Sequence, residues 1–381
     1  MAMSRVVKCG VVGCGVIAHE AYLPVISKVA DLVATCDLVE ARARRSMELW
    51  GGGEFYTDFD EMLEESEVEA VFILTGIGSH GKLVVKAAEA GKHVLVQKPL
   101  ATNMEDAEAS VEAVRKAGVK ALVEPFTQEN PLHLRARDIL DSGTIGRALW
   151  FRAGLGRDAP TWGGETFFTK EAGGPLFDLG VYPISTLTFL LGPAERVVGM
   201  AVTSVPERPL MSEDAFTEHL AAAEYECFFD SAGRYPLSSR VKVTAMDNTF
   251  TLMHMAGGNL GVVISNFVTP SGLSYGEARR ELPSIEIYGE KGAMLFGGTA
   301  PLTVWAPEDL PDSGVRLVKS TWEGFGRWRY TEASVKHLLD CIVNDQEPLA
   351  SVEWGRHVSE IMIGSIESSG TGRAVDLATS F

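Results

Sequence analysis

The first third of the chain alternates short apolar runs with amphipathic stretches. "VVKCGVVG" reads as a strand, and "VIAHEAYLPVISKV" as a helix disturbed by Pro24. "LVATCD" is the next strand, and "VEARARRSMELWG" an amphipathic helix that stops at glycine. "VEAVFILTG", "HVLVQKP" and "VKALVEPF" are further apolar strands. Between them lie the helices "HGKLVVKAAEAGK" and "TNMEDAEASVEAVRKAG", the second opening with Thr102 and Glu105 at capping-box spacing. Continuous apolar strands separated by helices predict a parallel sheet covered on both faces.

The pattern changes near residue 127. "NPLHLRARDILDSGTIG" reads as a helix and "RALWFRAGLG" as a strand. Later strands are longer and more polar: "ERVVGMAVTSV", "SRVKVTAMDNTFTLMHMAGGNLGVVISNFVT" and "SIEIYGEKGAMLFGG". "AGGN" between two of these runs predicts a hairpin. A mostly antiparallel sheet follows, with "TEASVKHLLDCIVN" and "EWGRHVSEIMIGSIESSG" as helices on one face. The expected organisation is therefore α/β throughout, with domains at 1–127 and 128–381. The acidic stretch 206–239 fits no element.

Composition narrows the function. The 381 residues carry a net charge of −17, which argues against a nucleic-acid partner because phosphate contact needs a basic face. No apolar run is long enough to span a bilayer, and no leader pattern opens the chain, so a cytoplasmic location is expected. The five cysteines are odd in number and scattered, as in a reducing compartment, and lack zinc spacing, so no metal is expected.

"GVVGCGVIA" carries the first chemistry. Gly13, Gly15 and Ala18 form G-x-G-x-x-A between a strand and a helix. Gly13, Cys14, Gly15, Val16 and Ile17 make a loop in which backbone can approach a pyrophosphate and a helix N-terminus can face it. Asp37 ends the second strand at about the twenty-residue offset of a ribose-binding carboxylate. A carboxylate there repels a 2′-phosphate, so NAD is favoured over NADP. Thr75 and Gly76 lie at the carboxyl end of the third predicted strand, where such sheets bind ligands. His80 either caps the next helix or touches the cofactor.

"VLVQKPLATNMEDA" resembles the E-K-P segment of the glucose-fructose oxidoreductase, inositol dehydrogenase and MocA family. The order of "AAEAGKHVLVQKPLA", "DSGTIGRAL", "GGPLFDLGVYPI" and "IEIYGEKGAMLF" resembles that family as well. The resemblance implies an N-terminal Rossmann domain and a C-terminal α/β domain with a large open sheet, often the interface of a homodimer or homotetramer. It implies hydride transfer between a nicotinamide and a secondary hydroxyl of a sugar, cyclitol or related polyol. Lys98 matches the family lysine beside the nicotinamide, and Asp178 and Tyr182 match its D-x-G-x-x segment. Gln97 stands where glutamate is usual; it still hydrogen-bonds a cofactor amide or ribose, but removes a negative charge beside Lys98.

In the resulting scheme Tyr182 relays the substrate proton. Lys98 orients the hydroxyl and tunes the phenol, or the two exchange roles. Asp178 hydrogen-bonds substrate or Lys98, or caps a helix. Trp162, Phe167 and Phe168 either wall the sugar ring or belong to an aromatic core. Arg157 and Arg152 meet a substrate anion or pair with surface acids. Other readings of the same residues are a redox-neutral enzyme that retains NAD, a dihydrodiol or imine dehydrogenase, and a non-catalytic NAD-binding regulator.

Overall fold

A computed structural model describes residues 5–51, 53–162, 167–212, 214–216, 236–270, 284–297, 300–306, 315–318 and 329–381. The chain forms two compact units. One gathers the described residues of 1–126, 211–239 and 325–359; the other those of 127–210, 240–324 and 360–381.

In the first unit six strands pair in parallel in the order β3-β2-β1-β4-β5-β6. They are β1 (Lys8–Val12), β2 (Asp31–Cys36), β3 (Glu54–Tyr56), β4 (Ala70–Ile73), β5 (His93–Val96) and β6 (Ala121–Val123). The helices between them are α1 (Leu23–Val29), α2 (Glu40–Trp50), α3 (Phe59–Glu65), α4 (His80–Glu89) and α5 (Met104–Ala117). This is the doubly wound order, and the chain reverses between β1 and β4, where such sheets bind ligands. Every residue of β4 is buried, as a strand covered on both faces must be.

Several expectations change here. β3 and α3 are announced by no long apolar run; Asp58 caps α3 by accepting hydrogen bonds from the Asp60 and Glu61 amides. α5 is capped by Asn103, whose side chain accepts from the Asp106 amide, and not by Thr102. A π turn over Ala18–Tyr22 precedes α1, with the Leu23 amide donating to the Ala18 carbonyl, next to Pro24, which has no amide proton to donate. The helix α8 (Arg329–Asn344) also belongs to this unit, not to the second sheet. Its His337 ring packs on Phe126 with centroids 4.7 Å apart.

The second unit holds α6 (Pro131–Asp141), β7 (Ala148–Gly156), α7 (Val181–Leu191), β8 (Ala194–Val202), β9 (Glu207–Leu210) and β10 (Ser239–Lys242). It continues with β11 (Asn248–Met255), β12 (Leu260–Asn266), β13 (Ile285–Gly289), β14 (Ala293–Gly297), β15 (Ala300–Trp305) and β16 (Val315–Val318). The helix α9 (Val352–Thr371) begins in the first unit and ends in this one, before β17 (Val375–Asp376). Nine of these strands form one sheet, ordered β16-β15-β14-β13-β7-β12-β11-β8-β17. Among the described pairs only β7 with β12 is parallel. The predicted hairpin joins β11 to β12, with the Met255 amide donating to the Asn259 carbonyl at 3.0 Å. From the unplaced stretch 206–239, β9 and the start of β10 are strands that pair with each other, whereas residues 213 and 217–235 lie outside the described residues.

Asp247, 1 % exposed, anchors this unit. Its carboxylate accepts from the Ser204 amide at 2.6 Å, the Val205 amide at 3.0 Å and Arg208 at 2.8 Å. Removing one partner of a buried ion pair strands the other. Asp247→Ala is therefore expected to cost about 3–5 kcal/mol. Chemical denaturation measures it; an unchanged midpoint would show that the pair contributes nothing.

Candidate cofactor and catalytic site

The glycine loop is built for two different reasons. Gly13 has φ +91°, and a Cβ there would lie 2.7 Å from the Leu74 carbonyl carbon, so the fold itself demands glycine. Its amide donates to the Cys36 carbonyl at 2.9 Å, joining the loop to β2. At Gly15 neither reason applies: the backbone is ordinary and an added Cβ meets no atom within 4 Å. Open space in front of a helix that begins at Val16 suits an approaching pyrophosphate.

Asp37 follows β2 and is half-buried. One carboxylate oxygen accepts from the Cys14 amide at 2.8 Å and the other from the Val39 amide at 2.9 Å. The residue expected to read the ribose thus also holds the loop, and Val16 and Ile17 carry the first helical amides, which precede any intrahelical acceptor. The Cys14 thiol is buried and donates to the Cys36 carbonyl; desolvation pushes it up to about 12, so it stays a neutral packing group.

His19 carries no motif signal in the sequence, yet it braces the loop. The Trp50 indole donates to its Nδ1 at 3.1 Å, which leaves the proton on Nε2, 2.9 Å from the Ser46 hydroxyl. The three tie the helix after the loop to α2. Burial first, and the Arg45 charge second, lower His19 to about 4. In the second unit burial also lowers His133 to about 4. Both values lie below the ordinary 6.5, so folding favours the neutral ring. The stability this confers is complete above pH ~6.5 and is lost as pH falls towards 4, roughly 3 kcal/mol for each ring. Urea midpoints measured across that window should fall with acid, and less steeply in a His19→Gln, His133→Gln double variant; equal slopes would contradict the assignment.

At the ligand edge Thr75 and Gly76 follow β4. The Thr75 hydroxyl lies 2.7 Å from that of Ser79, which donates to the Gly76 carbonyl at 2.8 Å. His80 is 1 % exposed, with Nδ1 2.8 Å from the Pro99 carbonyl and Nε2 3.0 Å from that of Thr75. Burial lowers its pKa, and the Lys98 charge adds to that. His80 opens α4 but presents no surface to a ligand; its ring lies between the loop after β4 and the segment after Lys98, and when neutral donates to one of the two carbonyls. Gln97 and Lys98 are half-buried at the end of β5, and the Gln97 amide donates to the Ile73 carbonyl at 2.9 Å. Lys98 therefore leaves the carboxyl edge of the sheet that carries the glycine loop.

In the second unit Asp178 sits in a π turn, Leu176–Gly180, that runs into α7. Gly174, with φ +69°, starts the approach, and a Cβ there would come 2.7 Å from the Met246 carbonyl oxygen. Asp178 and Tyr182 are four residues apart and share a helix face. Tyr182 is 40 % exposed, whereas the next six residues of α7 are buried. Phe168 is a correction: it is fully buried and packs edge-on against Phe167 and at 60° to Phe267, so it is core and not a substrate wall. Trp162 is half-buried, with the Arg157 guanidinium 6.0 Å from its ring. Arg152 pairs with Glu286. Lys98 belongs to the first unit, and Asp178, Tyr182, Trp162 and Arg157 to the second.

A glycine loop between strand and helix and a lysine at a strand end thus lie on one parallel sheet, in a chain that continues into a nine-stranded open sheet. Residues 7–124 match the oxidoreductase family with an NAD-binding Rossmann fold, and residues 133–295 match the GFO/IDH/MocA C-terminal domain. The chain is 31 % identical to the scyllo-inositol 2-dehydrogenase (NAD(+)) of Bacillus subtilis, over 98 % of this chain and 97 % of that one. It is 25 % identical to the Myo-inositol 2-dehydrogenase of Thermotoga maritima, over 92 % of each. A solved levoglucosan dehydrogenase in complex with NADH has the same fold, with TM-score 0.81 and 21 % identity over 98 % of this chain and all of the other. The chain belongs to the Gfo/Idh/MocA oxidoreductase family. Its cofactor is NAD, and its chemistry is that of a dehydrogenase or reductase.

Proposed function

We propose that this enzyme oxidises a secondary hydroxyl of a sugar, cyclitol or related polyol, or reduces the corresponding ketone. The observation that carries the reading is Lys98 at the carboxyl edge of the sheet bearing the Gly13–Gly15 loop. Bound NAD supplies the hydride acceptor. The loop amides of Gly15, Val16 and Ile17 hold the pyrophosphate, Asp37 the adenosine ribose, and Thr75, Gly76 and Gln97 border the nicotinamide end. Lys98 is the group proposed to orient the substrate hydroxyl, and Tyr182 the one proposed to take its proton. Asp178, on the same helix face as Tyr182, is proposed to hold substrate. Arg157 and Trp162 flank the substrate. The exposure of Tyr182 on a helix that is otherwise buried for two turns supports its part in this scheme.

A screen of sugars and cyclitols for NADH formation tests the proposal. Turnover with NAD, and little with NADP, is expected. Cofactor retained by the purified protein with no net NADH release would replace it with the redox-neutral reading. Equal rates with NADP would overturn the role given to Asp37.

The enzyme works as a homodimer or homotetramer through the open sheet, in a reducing compartment such as the cytoplasm. One sheet face exposes Val198, Met200 and Val202 on β8, Phe250 and Leu252 on β11, and Leu260 on β12. Phe250 stands opposite Met200, and Leu252 opposite Val198, so these side chains form one apolar patch of a kind that soluble monomers rarely expose. Phe250→Glu with Leu252→Glu should lower the mass seen by sedimentation; an unchanged mass would remove this face as the interface. Among the described residues no helix is long and apolar enough to cross a membrane, and Cys9, Cys14, Cys36 and Cys341 are free thiols.

A further inference from the structure

Gln97, which replaces the glutamate that the family resemblance leads one to expect, is the end of a buried hydrogen-bond chain. Its side-chain amide donates to the Tyr22 hydroxyl. Tyr22, 1 % exposed, donates in turn to Glu124 Oε1 at 2.8 Å. The other Glu124 oxygen accepts from the Phe126 amide at 2.6 Å. Ser334 on α8, whose hydroxyl donates to the Thr331 carbonyl at 3.1 Å, also helps to pull the Glu124 carboxyl down. All five residues belong to the first unit. The mechanism above uses none of Tyr22, Glu124 and Ser334.

The polarity of this chain is set by counting protons. Tyr22 has one hydroxyl proton, and a carboxylate can only accept. With an amide at 97 and an acid at 124, the Tyr22 proton goes to Glu124 and its lone pair receives Gln97. With ionised carboxylates at both ends, two acceptors compete for one proton in a buried place, where an unmet polar group is costly. We propose that Tyr22 and Glu124 are positioning residues that orient the Gln97 amide beside Lys98, and that Glu124 is the reason residue 97 must be an amide. The acidic group of the site has not been lost; it stands one hydroxyl away, in the core. Burial pushes the Glu124 carboxyl above its ordinary range, against the hydrogen bonds that pull it down. That is the cost of the arrangement, and it makes a second carboxylate nearby still less favourable.

The proposal rests on the reading of Lys98 and Gln97 as groups at the nicotinamide end, and its test separates the two. Exchanging the ends, Gln97→Glu together with Glu124→Gln, reverses the chain without breaking it. The amide introduced at position 124 would donate to Tyr22, and Tyr22 would donate to the carboxylate introduced at position 97. The side-chain carbonyl at position 124 would still accept from the Phe126 amide. NADH affinity, by fluorescence titration, and kcat should both fall about tenfold or more in Gln97→Glu alone. Both should rise at least about threefold above Gln97→Glu in the exchanged pair. The deficit of Gln97→Glu should shrink as pH is lowered, because the introduced carboxyl, once protonated, again donates to Tyr22. Tyr22→Phe removes the mediator, so in that background exchanging the ends should restore nothing.

Unfolding midpoints measured on the same proteins guard against a purely structural effect. Loss of function that follows loss of stability, with no pH dependence and no recovery in the exchanged pair, would overturn the proposal. So would a Gln97→Glu protein that binds NADH and turns over as wild type does. If Glu124→Gln fails to fold, the pH series on Gln97→Glu still decides. If wild type turns over no sugar or cyclitol, the substrate reading fails, while the NADH-affinity cycle still tests the chain.

Discussion

Lys98→Met is expected to lower kcat by about 10²–10⁴, the usual contribution of a positioned proton-transfer group. Methionine keeps the apolar stem that leaves β5, so the half-buried position stays filled and the fold survives. The ammonium alone is lost, and with it the group proposed to orient the substrate hydroxyl. NADH affinity should change by no more than about threefold, because the residues proposed to hold the pyrophosphate and ribose lie on other strands. Steady-state kinetics with NADH titration separate the two quantities. A kcat close to wild type would remove Lys98 from the chemistry. A loss confined to cofactor affinity would make it a binding residue only.

Gly15→Val is expected to weaken NAD binding by about ten- to a hundredfold while leaving the fold intact. The side chain enters space in which no protein atom comes within 4 Å of its Cβ, so nothing in the protein has to move. The cost falls on the ligand, whose pyrophosphate meets a branched side chain; overpacking of this kind costs about 1–3 kcal/mol. Gly13→Val should do the opposite. Its Cβ would sit 2.7 Å from the Leu74 carbonyl carbon, and φ +91° is a backbone that valine resists, so stability falls first. Calorimetric titration with NAD and thermal unfolding of both variants form the test. If Gly15→Val bound NAD as tightly as wild type, the open space would not be the pyrophosphate site.

Much of the first unit is readable along the chain because its signals are local. A strand buried on both faces is apolar at every position, and a dinucleotide turn must be glycine-rich where the backbone bends or a phosphate approaches. Gly13, Gly15 and Asp37 can therefore be found by spacing alone. The short β3 and α3 escape such a reading because a three-residue strand has no period to detect. Thr102 has the spacing of a cap, but a capping box describes a residue pair, whereas the backbone decides which residue is extended: Asn103 has φ −144°. For α8 the apolar stripe announces burial, but a stripe does not say against what. Phe168 is ambiguous for the same reason, since core walls and ligand walls use the same aromatic side chains.

The order of motifs along these 381 residues determined the fold class, the glycine loop and the lysine at a strand end, because each depends on residues that are neighbours in the chain. Tertiary structure alone decided what those residues touch. Gln97 meets Tyr22 across 75 positions, and Tyr22 meets Glu124 across 102. No periodicity spans such separations. They close because parallel strands bring distant segments to one sheet edge, where a buried hydroxyl with a single proton must be matched on both sides.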